Sequence, residues 1–249
     1  MHCYYTCGAN AAIADSSVTQ SQRLVAEAIQ HSVNYPAYYF RGIVIEDMVT
    51  VSFPPPPTQP NFRTEGTPPA KGSWPSGIYF GDGSGGVYAK YPSLRRCGVG
   101  IAKIEQSGDN IVFDLGIYLT LPGCIQTVPR SEAYALLAVL EHAANGASIE
   151  FFTDSKILSD TFAKGVPGAD SSKNDNLHLD LHDHIKSKSL SMSVYWMPSH
   201  SEDDETKAAK KPDWCTDFHV KGNKQADRLA EVAARLAQIL NDIALPVKK

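Results

Sequence analysis

The sequence predicts an α/β fold in which a mixed sheet is flanked by helices. Three observations carry this expectation. Three β-rich runs come first in the body of the chain, and strands then alternate with helices. A proline-rich segment sets that body apart from a shorter head. The last helical stretch is apolar along one stripe only, as a helix laid on a sheet requires.

The elements follow in order. The head, residues 1–53, holds a candidate helix at 17–32 with Leu24, Val25, Ala28 and Ile29 on one side, then a strand-like RGIVIEDMVTVSF. Half of the sixteen prolines lie between Pro54 and Pro75, so residues 54–75 read as an extended linker without paired strands. The body spans 76–243, with a short tail at 244–249. IYFGDG (78–83), CGVGIAKIE (97–105) and NIVFDLGIYL (110–119) are strands separated by turn-forming residues. Pro129 opens a helix that Gly146 closes. SIEFFTD (148–154) is a buried strand, helices follow near 155–164 and 174–188, and SMSVYWM (191–197) is the fifth strand. From about Asn223 a helix with Ala226, Leu229, Ala230, Ala233, Leu236, Ala237 and Leu240 at helical spacing runs to the C-terminus.

Composition narrows the function classes. No apolar run reaches the roughly 18 residues of a membrane span, and the N-terminus lacks a charged-then-apolar leader. Five cysteines without framework spacing suit a reducing interior, so an intracellular protein of nucleus or cytoplasm is expected. The net charge of -4 gives no sign of a nucleic-acid binder, although local basic surface decides that, not net charge.

Four acids sit where isolated acids are least expected. Asp82 lies in or at the end of the first strand of the body, and Glu132 in the first turn of the proline-started helix. Asp154 ends the strand IEFFT, and Asp227 lies in the first turn of the last helix. Clustered carboxylates repel one another unless a cation sits among them, and Mg2+ is the hard cation that shares carboxylates with substrate phosphates. Two such ions can activate water and stabilise a leaving oxygen in phosphodiester cleavage. Taken singly, Glu132 could serve its helix dipole and Asp154 could cap the next helix.

FGDGSGG around Asp82, QTVPRSEAYALLAVLE around Glu132, FFTDS around Asp154 and GNKQADRLA around Asp227 follow one another over about residues 76–240. In that order they resemble type 1 ribonuclease H, particularly the RNase H domains of retroelement reverse transcriptases. The resemblance implies an RNase H-like three-layer fold with a five-stranded mixed sheet in order 3-2-1-4-5, the strand of Asp82 at its centre. It implies an endoribonuclease that hydrolyses the RNA strand of RNA–DNA hybrids with two Mg2+ ions, Mn2+ being a possible substitute. Asp82 would bridge both ions, Asp227 would help hold the water-activating ion, and Glu132 and Asp154 the other. WMPSH, ending in His200, resembles the segment of the family's catalytic-loop histidine, with His219 as the fallback. Gly83, Ser84, Thr127, Arg130, Ser155 and Asn223 are the nucleic-acid contacts that the resemblance suggests. An upstream reverse transcriptase domain is the candidate partner, and the protein is expected to be a monomer.

The chain also departs from the family pattern. Val128 and Pro129 stand where polar residues often read the hybrid's minor groove, and Ile125 where an arginine often supports a phosphate pocket. The stretch from His200 to Asn223 is long, and the basic residues Lys90, Arg95, Arg96, Lys103, Lys221 and Lys224 are scattered. His178, His182 and His184 have zinc-like spacing without a further ligand, and Cys3 and Cys7 lack a partner pair. Three functions compete: an active RNase H, stand-alone or the C-terminal piece of a retroelement polyprotein; an inactive RNase H-fold module that binds nucleic acid or protein; and another nuclease of the superfold. All four carboxylates together favour the first.

Overall fold

A computed structural model of the chain describes residues 54–108, 110–199 and 211–244. Two compact units divide the chain: Pro55–Leu240, and a second of residues 1–54 with 241–249, where the short helix Asn241–Ala244 is described. The head elements expected at 17–32 and before Pro54 lie outside the described residues.

Within Pro55–Leu240 the strands are β1 (Arg63–Glu65), β2 (Gly77–Ser84), β3 (Gly98–Ser107), β4 (Asn110–Thr120), β5 (Ser148–Thr153) and β6 (Ser191–Trp196). The helices are α1 (Val128–His142), α2 (Lys156–Ala163), α3 (Gly165–Asp170), α4 (Asp175–Ser187) and α5 (Asp217–Ala237). The sheet runs β1-β4-β3-β2-β5-β6. β2, β3 and β4 are antiparallel neighbours, whereas β5 lies parallel to β2 and β6 parallel to β5. Without β1, this is the 3-2-1-4-5 order implied by the resemblance, with the strand of Asp82 inside the sheet.

Period-2 alternation sorts the side chains into two cores. Tyr79, Ile101, Ile149 and Phe151 pack with Leu136 and Leu140 of α1. Phe80, Ala102 and Phe152, their chain neighbours, pack with Phe218, Ala226 and Leu229 of α5. The approach of α5 is close because β3 presents glycines to it. A Cβ on Gly100 would stand 2.0 Å from the Ala226 carbonyl oxygen, and one on Gly98 would stand 2.2 Å from that of Ala230. Only a strand without side chains at these points admits a helix backbone so near.

The linker expectation fails for part of its length. Arg63–Glu65 pairs antiparallel with Tyr118–Gly116 of β4, making a sixth strand. These three residues contain no proline, and an edge strand tolerates prolines around it. The Arg228 guanidinium grips both oxygens of Glu65 (3.0 and 2.5 Å), and Trp74, 2% exposed, bonds the backbone beyond α1. Helix α5 starts at Asp217, not near Asn223, because Thr216 and His219 form a capping box that turns the chain into the helix earlier. It stops at Ala237, short of the C-terminus. Helix α3, rich in glycine and proline, has a composition that gave no helical signal.

Candidate metal centre

Parallel pairing of β2 with β5, with Phe80 opposite Phe152, ends both strands at one edge of the sheet. Asp82, two residues past Phe80, and Asp154, immediately after β5, therefore meet there. Glu132 arrives from α1. Its helix start docks against β2 where Gly83 has no side chain: a Cβ there would lie 2.3 Å from Ser131 Oγ and 2.9 Å from the Glu132 nitrogen. Carboxylate oxygens of Asp82, Glu132 and Asp154 lie within 4.8 Å of one another. Asp227 comes from the middle of α5, one residue after Ala226, which rests on Gly100, the β3 partner of Asp82. Its charge reaches Asp82.

This arrangement is electrostatically costly. Burial pushes the Asp82 carboxyl well above the usual range, and the charges of Asp154, Asp227 and Glu132 push it further. The Gly83 N–H donates to its Oδ1 at 2.7 Å and partly offsets this. Burial, with repulsion from Asp154, lifts Glu132 to about 7, against a lowering hydrogen bond with Ser155. No lysine, arginine or histidine charge acts on either group among the described residues. The oxygens of the three carboxylates converge, and Asn223, 7% exposed and one helical turn before Asp227, adds a buried Oδ1 with no hydrogen-bond partner. A donor set made of carboxylate and amide oxygens fits a hard divalent cation.

The local roles first open to these acids are not the ones they hold. Glu132 is the fifth residue of α1, which begins at Val128 after Thr127, so it lies beyond the first turn. Ser155, not Asp154, caps α2 by accepting from the Leu158 N–H at 3.3 Å. Asp227 sits in mid-helix, not in the first turn.

The other candidate residues are spread around this centre. Ser84 Oγ accepts from the Gly86 N–H, and Thr127 is the N-cap of α1 without a side-chain capping bond. Arg130 Nη1 donates to Asn176 Oδ1 at 3.0 Å and to Asn174 Oδ1 at 3.4 Å. His200 lies outside the described residues. His219 is held among the Phe152, Trp214 and Phe218 rings and in the α5 cap, with its imidazole lowered by burial. That is a packing and capping role.

The scattered basic residues divide. Lys103 is buried and paired with Glu105 and Asp114, and Arg96 is buried, so neither belongs to an open basic surface. Arg95 donates to the carbonyls of Ala89 and Gln126. Lys90, Lys221 and Lys224 are exposed. His178 is buried and His182 stacks on Phe162. Sequence reasoning missed Gln126, whose side chain accepts from Cys97 N and donates to the Leu121 and Gly123 carbonyls, fixing the loop that delivers α1. A single glutamine before a helix start carries no signal of that role.

Apart from β1, the strand order is the one that the RNase H resemblance implies. The RNase H domain of the foamy virus PFV is 16% identical, with 65% of this chain and 95% of that one covered at a TM-score of 0.46. The prototype foamy virus protease-reverse transcriptase is 16% identical over 69% of this chain and 22% of its own (TM-score 0.46). LC9-RNase H1, a type 1 RNase H with the type 2 active-site motif, is 16% identical over 67% and 76% (TM-score 0.45). No protein-family model matches the chain, and no curated protein sequence matches it. Likenesses of this size define no activity, so the chemistry rests on the carboxylates.

Proposed function

We propose that the protein is a Mg2+-dependent endonuclease that hydrolyses the RNA strand of RNA–DNA hybrids. One observation carries this reading: three buried or half-buried carboxylates converge from two strands and a helix, with a fourth acting on Asp82. Asp82, Glu132, Asp154 and Asp227 would hold two divalent ions, with Mn2+ as a substitute. Bound there, the ions supply an activated water and stabilise the leaving oxygen of a phosphodiester.

The chain's own residues provide the frame. The Gly83 N–H and the Ser155 hydroxyl orient the carboxyls of Asp82 and Glu132. The glycine contacts of β2 and β3 fix the distances of α1 and α5 from Asp82. Gly83, Ser84, Thr127, Arg130, Ser155 and Asn223 are the proposed contacts to the hybrid. His200 is proposed to assist proton handling or product departure. The working domain is proposed to begin near residue 55, with an upstream reverse transcriptase domain as candidate partner and a monomeric state.

The test is cleavage of an end-labelled RNA–DNA hybrid with and without Mg2+, beside matched DNA and RNA duplexes. Mg2+-dependent cutting of the hybrid's RNA strand alone is expected. Binding without cutting, at any Mg2+ or Mn2+ concentration, would make the domain an inactive binding module.

A further inference from the structure

Among the described residues two buried side-chain atoms lack a hydrogen-bond partner, Trp74 Nε1 and Asn223 Oδ1, and only the second lies on the helix that carries Asp227. Asn223 lies within α5, 7% exposed, and its Oδ1 has no hydrogen-bond partner. An orphaned buried carbonyl is uncommon and destabilises a fold. A residue with no further purpose at this position would be expected to be apolar, as Ala226, Leu229 and Ala230 are.

Position says where this group looks. Gly222 rests on the Phe80 ring and Ala226 on Gly100, so these two residues mark the line along which α5 touches the sheet. Asn223 and Asp227 each follow one of those contacts by a single residue, and being four apart they lie on one side of the helix. That side faces the centre, because the charge of Asp227 acts on Asp82. Side chains of a helix lean toward its N-terminus, which keeps both groups over the same sheet edge. A buried acceptor is satisfied only by something that donates, and a hydrated cation among the carboxylates would bring such donors. Among the described residues no cationic side chain acts on Asp82 or Glu132.

Mg2+ dehydrates reluctantly and keeps several waters, each a strong donor outside the first coordination sphere. We infer that Asn223 is a positioning residue whose side-chain oxygen accepts a hydrogen bond from a water on the divalent ion held by Asp82 and Asp227. The inference rests on the metal-site reading above and adds a group that orients the ion's water shell. Such outer partners typically contribute about 10–100-fold to metal affinity.

The test measures binding of Mg2+ alone, by calorimetry and by thermal shift, for wild type, Asn223→Ala and Asn223→Asp. Asn223→Ala should melt in EDTA at or above the wild-type temperature, since it removes an unsatisfied oxygen, yet bind Mg2+ about tenfold or more weakly. Asn223→Asp should bind Mg2+ more tightly than wild type through its added charge. If Asn223→Ala fails to fold, Asn223→Ser takes its place with the same expected loss. Mg2+ affinity within twofold of wild type in the Ala or Ser variant would overturn the role of Asn223 alone. Absence of Mg2+ binding by wild type would instead overturn the metal site itself.

Discussion

Replacing Glu132 by glutamine should stabilise the metal-free protein at pH 8. In the fold, burial and Asp154 raise this carboxyl from its ordinary 4.5 to about 7. A folded-state value above the unfolded one means that the fold disfavours ionisation. No penalty exists below pH 4.5, it grows between 4.5 and 7, and it is constant above. At about 1.4 kcal/mol per pH unit, the full penalty is roughly 3 kcal/mol. Glutamine removes it and keeps an oxygen for Ser155. At about 2–4 °C per kcal/mol for a domain of this size, the variant should melt roughly 6–12 °C above wild type in EDTA at pH 8. The gain should vanish at pH 4, where the wild-type carboxyl is also neutral. In saturating Mg2+ the order should invert, because only wild type gains the full binding energy. Calorimetric melts of both proteins across pH 4–8, with EDTA and with Mg2+, decide it. An equal gain at pH 4 and pH 8, or a loss at pH 8, would refute the electrostatic account of this site.

Other expectations address the same frame. Asp82→Asn should lower hybrid cleavage by roughly a thousandfold or more, equivalent to about 4 kcal/mol of transition-state stabilisation, with an unchanged circular dichroism spectrum; a normally active, folded variant would remove Asp82 from the centre. Gly100→Ala should destabilise the domain by about 1–3 kcal/mol and reduce cleavage, since its methyl meets the Ala226 backbone; denaturant melts and single-turnover assays measure both. A chain starting at residue 55 should remain folded, whereas one starting at 77 should lose about 3–5 kcal/mol by discarding Trp74, visible as a lower urea midpoint. His200→Ala should slow turnover without abolishing it, and His219→Ala should chiefly lower the melting temperature; a turnover defect confined to His219→Ala would reverse these roles.

Much of this was legible in the sequence because the period-2 strands and the carboxylates at their ends are local signals. Asp82 and Asp154 were placed by strand boundaries accurate to within a few residues. Pro129 suggests a helix start that puts Glu132 in the first turn, whereas Val128 begins the helix and Glu132 lies beyond that turn. The early start of α5 was hidden because His219 serves as the reciprocal partner in its cap, a place usually held by Glu or Gln. β1 escaped notice because three residues amid prolines have no periodicity to read, and their pairing is set by β4 and Arg228, far away in sequence. The same holds for Lys103: its burial depends on Asp114 across the sheet, which composition cannot reveal.

The glycine contacts between β3 and α5 bear on which cation the proposed centre would use. Backbone resting on backbone at Gly98 and Gly100 leaves no side-chain torsion to yield, so the spacing of Asp227 from Asp82 behaves as a fixed gauge. A rigid gauge suits an ion that demands octahedral geometry at about 2.0–2.1 Å and penalises one that prefers six to eight ligands at about 2.3–2.6 Å. Discrimination between magnesium and calcium would then be set in a strand that supplies no carboxylate to the centre, by two residues whose contribution is the absence of a side chain.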